Sequence, residues 1–184
     1  MKRFMLVVTL VLVSVFVFGN YALADSVVKI GYDLEGKHGL DTGTGPKTDI
    51  DPGLTIGYEY YFAKQKLEYG IGLEYQSERK FQDSSGKKIS FIPIYGVVNY
   101  NFNGNGIKPY LTGRLGLDIF NANEVYKNGG STECGVYWGL GGGFTRDNLV
   151  LELLYSGNHG HFKQQNTNTE IVYYKTSLSC GYKF

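Results

Sequence analysis

Apolar and polar side chains alternate along most of the chain after residue 25, the period of two that an extended strand imposes on its two faces. The alternation predicts eight strands, at 26–36, 50–62, 67–77, 89–102, 109–120, 135–145, 149–157 and 170–184. In the second, Leu54, Ile56, Tyr58, Tyr60 and Phe62 alternate with Thr55, Gly57, Glu59 and Tyr61. In the third, Leu67, Tyr69, Ile71, Leu73 and Tyr75 alternate with Glu68, Gly70, Gly72, Glu74 and Gln76. The fifth and seventh are as regular, setting Leu111, Leu115, Leu117 and Ile119 against Thr112, Arg114 and Asp118, and Leu149, Leu151, Leu153 and Tyr155 against Glu152 and Ser156. The fourth is mixed, because Phe91, Tyr95 and Val97 share the polar face with Pro93 and Asn99. The last places Val172, Tyr174, Leu178, Cys180, Tyr182 and Phe184 on one face. No window after residue 25 sustains a 3.6-residue apolar period, so helices are not predicted.

The connections alternate as well. Residues 63–66, 103–108 and 146–148 are short, whereas 37–49, 78–88, 121–134 and 158–169 are long, polar and rich in Gly, Asn and Ser. Short turns on one side and long loops on the other are the arrangement of outer-membrane barrels, with the long loops outside. The expected fold is therefore all-β, an eight-stranded antiparallel up-and-down transmembrane β-barrel, with both ends of the mature chain at the periplasmic rim. A lipocalin also has eight strands but turns its apolar face inward. Three features favour the membrane version. Tyr60, Phe62, Tyr100, Phe102, Phe144, Tyr182 and Phe184 gather at the short-turn end and Tyr75, Trp138, Tyr155 and Tyr174 toward the long-loop end, as two interfacial girdles. Gly57, Gly70, Gly72, Gly116, Gly139, Gly141 and Gly143 lie among the charges of the polar face, which suits a narrow interior holding a few long side chains. The lone tryptophan falls in the sixth segment, whereas lipocalins carry theirs in a Gly-x-Trp motif of the first strand.

The amino terminus agrees with an exported protein. Lys2 and Arg3 precede an apolar run over residues 4–18, and Ala22-Leu23-Ala24 offers a small-x-small cleavage site. The run is short against the roughly 20 residues a spanning helix needs. Residues 1–24 are thus expected to be a signal peptide and 25–184 the barrel domain. The mature chain is close to neutral and has no basic stripe, which excludes nucleic acid as a partner. Cys134 and Cys180 fall at opposite ends of the predicted barrel, and a disulfide needs Cα atoms within about 7 Å, so both are expected as free thiols.

With these residues in place, the chain resembles the small eight-stranded outer-membrane proteins, the broad class that includes OmpX, the OmpA barrel and OmpW-like proteins. The resemblance covers residues 25–184 as a pattern, together with the terminal Gly181-Tyr182-Lys183-Phe184. It implies residence in the cell outer membrane among outer-membrane lipid and lipopolysaccharide. In that class a terminal aromatic strand is read by the barrel-assembly machinery, which makes Tyr182 and Phe184 the expected assembly signal. The match is to architecture and carries no activity with it.

The polar face predicts an interior network of Glu59, Glu68, Glu74, Arg114, Asp118, Glu152 and Lys175. An eight-stranded interior is only wide enough for side chains, and buried charges must pair, so this set is expected to be structural; a small-solute channel through it is the alternative. Lipid A deacylases, which resemble this class, use a His-x-Ser-Asn segment on a late strand. The comparable stretch here is Glu152-Leu153-Leu154-Tyr155-Ser156-Gly157-Asn158-His159-Gly160-His161, with no serine two residues after either histidine and with both histidines in an expected outer loop. Neither catalytic nor cofactor-binding residues are expected. No metal site is expected either, since His159 and His161 lack a third ligand of evident spacing and His38 is distant. Charged loops carrying Lys37, His38, Asp41, Lys47, Asp49 and Asp51, or Glu78, Arg79, Lys80, Asp83, Lys87 and Lys88, and the amide-rich run 164–169 remain as candidate surfaces for a host or surface ligand. The sequence therefore predicts a monomeric, non-enzymatic outer-membrane protein acting in envelope integrity or surface interaction, with a lipid A-modifying enzyme as the alternative from another class.

Overall fold

The computed structural model describes residues 25–34, 36–40, 48–62, 66–82, 86–123, 131–164 and 167–184, and the expected signal peptide, residues 1–24, lies outside the described residues. The strands are β1 (Asp25–Asp33), β2 (Gly36–Leu40), β3 (Thr48–Ile50), β4 (Gly53–Tyr61), β5 (Leu67–Lys80), β6 (Lys88–Asn101), β7 (Ile107–Ala122), β8 (Ser131–Glu133), β9 (Gly135–Arg146), β10 (Leu149–Gln164) and β11 (Thr167–Lys183). Eight of them, β1, β4, β5, β6, β7, β9, β10 and β11, pair antiparallel in chain order, and β11 returns to β1 to close the barrel. The closing ladder runs from Val27 opposite Lys183 to Asp33 opposite Ser177. Closure leaves these eight strands without a free edge, the condition for spanning lipid with strands.

The faces follow the alternation. Ile30, Leu54, Ile71, Ile94, Leu111, Leu115, Leu117, Leu140, Leu153 and Leu178 point outward and are exposed on the isolated chain, where lipid covers them in the membrane. The inward face carries Lys29, Glu59, Glu74, Arg114, Glu152 and Lys175, all buried. Bare backbone makes room for the larger inward rings. A Cβ on Gly72 would stand 2.8 Å from the Tyr95 hydroxyl, and one on Gly160 2.8 Å from Phe120 Cγ. Between β9 and β10 the chain reverses in two residues, with Asp147 at φ 53° in the left-handed region that Asp tolerates. Asn148 donates to the Lys183 carbonyl at 2.6 Å and accepts from its amide at 2.8 Å, tying this turn to the last strand.

The outer end departs from the expected boundaries. β10 runs to Gln164 and β11 starts at Thr167, so the expected long loop over 158–169 is mostly a regular hairpin. β5 continues to Lys80, β2 extends the β1 edge along β11 from Lys37 to Leu40, and β3 pairs with β2. The physical reason is that period-two contrast fades where the outward face leaves lipid and meets water, while the backbone ladder goes on. A register shift between Gln76 and Arg79 also inverts the phase of β5, turning Arg79 inward although the sequence had placed it in a loop.

Candidate functional site

The interior is layered. At the centre, Arg114 on β7 reaches Glu59 at 2.7 Å and Glu152 at 2.6 Å, with Glu74 at 3.6 Å. Lys29 bridges the same two carboxylates at 2.8 Å each. Tyr61 donates to Glu59 at 2.6 Å, Tyr95 to Glu59 at 3.0 Å and Tyr110 to Glu152 at 2.9 Å. These groups come from β1, β4, β5, β6, β7 and β10, so the cluster ties most of the wall to one point. Above it, Lys175 bridges Asp33 at 2.9 Å and Glu74 at 3.3 Å, and Asp33 is also held by Arg79, Thr55 and Ser177. Below it, at the periplasmic end, Lys183 bridges Asp25 at 2.9 Å and Glu68 at 3.0 Å.

Of the residues expected inside, Glu59, Glu152, Arg114 and Glu74 thus meet in one cluster, and Lys175 joins it through Glu74. Glu68 stands apart in the periplasmic layer. Asp118 accepts from Asn158 at 2.6 Å on one oxygen, while the other has no hydrogen-bond partner among the described residues. Lys29, Asp33, Arg79, Asp25 and Lys183 belong to the same layers, beyond the expected interior set. Lys29 and Asp33 were legible, because they alternate with Ile30 and Tyr32; Arg79 was hidden by the register shift.

An apolar plug closes the outer end. Ile50, Phe81, Ile89, Phe91, Phe120, Ile171 and Tyr173 form one buried cluster, with Phe91 stacked on Tyr173 at 5.8 Å and on Phe120 at 5.1 Å. Two voids in the polar layers measure about 20 and 10 Å³, room for about one water molecule each. The periplasmic rim instead holds an open basin of about 390 Å³ lined by Asp25, Asn101, Lys108, Thr145, Asn148 and Lys183.

On the outside, aromatic residues mark both edges of the apolar belt. Tyr60 contacts Phe62 at 5.4 Å, Tyr100 contacts Phe102 at 5.1 Å, and Tyr182 contacts Phe184 at 5.0 Å at the periplasmic edge. At the outer edge, Trp138 lies 5.7 Å from Tyr155 and 6.1 Å from Tyr174. His159 and His161 stand on β10 opposite Val172 and Glu170, which corrects their expected place in a loop. His159 Nδ1 is paired with Glu170 at 2.9 Å. The position two residues further along the same face is His161, so a His–carboxylate pair is present without a serine beside it in the strand. Cys134 and Cys180 are free and exposed, and no metal-binding cluster occurs among the described residues.

No family model and no curated protein matches the chain. Among solved structures it is similar to Neisserial surface protein A (NspA), with 18% identity over 88% of this chain and 99% of that one and a TM-score of 0.56. It is also similar to the outer membrane protein AlkL determined in lipid bilayers, with 17% identity, 90% and 92% coverage and a TM-score of 0.53. A third similarity is to the outer membrane enzyme PagL, with 14% identity, 83% and 97% coverage and a TM-score of 0.51. At these identities the likeness is one of fold. Together with the outward apolar belt, its aromatic edges and the closed ladder, it defines the chain as a small eight-stranded β-barrel of the bacterial outer membrane.

Proposed function

We propose that the protein is non-enzymatic and acts in envelope integrity or surface interaction, presenting its outer end and outward wall rather than a passage. The observation that carries this reading is the filled interior: buried ion pairs at the centre and the Phe91–Tyr173–Phe120 stack at the outer mouth. A solute would have to displace both, whereas the outer hairpins are free to meet a host or surface ligand. Planar-bilayer recordings on refolded protein should give no reproducible conductance steps, and steps at neutral pH would favour a channel instead. Shortening the β5–β6 and β10–β11 hairpins should reduce host-surface binding; unchanged binding would leave envelope integrity as the role. The terminal Tyr182–Phe184 pair is proposed as the signal read by the assembly machinery, and Phe184→Ala should lower the amount of folded barrel in the membrane.

The lipid-modifying reading retains one specific observation, the His159–Glu170 pair on the outward wall just above the apolar belt. Comparing lipid A masses from deletion and complemented strains separates the two readings, because only an enzyme changes an acyl-chain mass.

A further inference from the structure

The outer aromatics converge on one sector of the wall. Trp138 on β9, Tyr155 on β10 and Tyr174 on β11 stand on three adjacent strands, and Tyr155 and Tyr174 are stacked at 6.3 Å with 12° between their planes. Gly157 lies opposite both Trp138 and Tyr174 in the ladders. A Cβ there would stand 2.5 Å from Trp138 Nε1, so the bare backbone is the seat in which the indole lies. His159 meets the edge of Tyr174 at 6.3 Å with the rings at 88°, and Glu170 holds its Nδ1. The sector is therefore a set of aromatic faces at the top of the apolar belt, bordered on the water side by a fixed donor–acceptor pair, with His161 and Glu170 directly opposite each other.

That combination is selective. A lipid tail needs only the aliphatic belt below, and a lone phosphate is repelled by Glu170. A sugar ring offers polarised C–H faces to aromatic rings, whose faces are electron-rich, and hydroxyls that can donate to a carboxylate oxygen and to the ring nitrogen of a histidine whose other nitrogen serves that carboxylate. The height is that of lipid headgroups, where interfacial aromatics sit. We propose that the outward wall of β9, β10 and β11 is a binding site for the saccharide headgroup of an outer-leaflet glycolipid, with Trp138, Tyr155 and Tyr174 as the platform and His159 and Glu170 as the hydroxyl-recognising pair. This deepens the surface-acting reading above and rests on its outward wall being the working surface.

Trp138 is the chain's lone tryptophan, so its emission reports on this sector alone. The full mature barrel in nanodiscs is titrated with a diglucosyl diacylglycerol or, separately, with phosphatidylglycerol of the same acyl chains. The glycolipid should shift the emission saturably at low mole fraction and phosphatidylglycerol should not. His159→Ala/Glu170→Gln should need about tenfold more glycolipid, consistent with losing a charge-assisted hydrogen bond, while its unheated band on an SDS gel still marks a folded barrel. Glu170→Gln alone, at a partly exposed side chain, replaces the double variant if that does not fold, with an expected shift of about threefold by the same reasoning. An unresponsive wild type, equal midpoints in the folded variants, or saturation by phosphatidylglycerol in place of the glycolipid would each overturn the proposal. Host-surface binding by intact cells is a separate readout, so failure here leaves the surface-acting reading standing.

Discussion

Two layers of the interior use the same chemistry in different surroundings. At the centre, Arg114 side-chain exposure is 2% and its partners Glu59 and Glu152 stand at 0% and 1%. At the periplasmic rim, Lys183 is 21% exposed and opens onto the basin it shares with Asp25. Both cations bridge two carboxylates from different strands. The central one is cut off from bulk solvent, so its partners depend on it; the rim lysine borders the open basin and has water as an alternative. Position, rather than the number of ion pairs, decides how much each layer matters.

The largest effect is expected at the centre. Arg114→Met leaves Glu59 and Glu152 buried with Lys29 as their remaining cation, and should lower stability by about 3–5 kcal/mol, the usual cost of breaking a buried pair from one side. Urea titration of the barrel in lipid, read as the fraction of the fast-migrating unheated band, measures it. Adding Glu152→Gln to Arg114→Met should recover much of that loss, because it leaves one carboxylate, Glu59, for the one remaining cation, Lys29, and matched removal of charge is far cheaper than orphaning it. Failure to recover would mean that the guanidinium acts by shape alone.

Next comes the outer plug. Phe91 is fully buried between Tyr173 and Phe120, and Phe91→Ala should cost about 3 kcal/mol through the cavity it leaves. Conductance should stay absent in this variant, since the Arg114 layer still blocks the passage; channel steps from Phe91→Ala alone would make the plug the sole barrier. The smallest effect belongs to the rim. Lys183→Ala should lower stability by about 1–2 kcal/mol, more than an exposed pair because Asp25 and Glu68 are buried, less than the centre because the basin admits water, and a loss as large as that of Arg114→Met would erase the distinction between the layers.

Much of this fold was legible in period-two alternation, because lipid on one side and a polar interior on the other give each strand its strongest contrast. The regular segments at Leu67–Tyr75, Leu111–Ile119 and Leu149–Tyr155 illustrate it, and each falls within a strand of the barrel. The contrast failed in two places for identifiable reasons. Above the outer aromatics the outward face becomes His159, His161 and Lys163, polar side chains facing water, so the strand continued where the pattern suggested a loop. In β5 the extra residue between Gln76 and Arg79 reverses the phase, so simple alternation puts an interior cation on the surface. The mixed face of β6 had a structural cause too, since Ile89 and Phe91 serve the outer plug and Tyr95 and Val97 pack around the central charges. The pairing of His159 with Glu170, 11 positions along the chain, needed the β10–β11 register and could not be seen from spacing.

The two native cysteines test at once whether the belt is buried in lipid and whether the β8–β9 end lies outside. Cys134 lies between β8 and β9 at the outer end, and Cys180 lies in the belt opposite Ile30 and Leu151. Both thiols are free and exposed on the isolated chain, so lipid alone distinguishes them. Treating intact cells with a membrane-impermeant maleimide should modify Cys134 and leave Cys180 unmodified until the protein is boiled in SDS. Equal labelling of both in the native state, or labelling of Cys180 alone, would contradict the membrane placement.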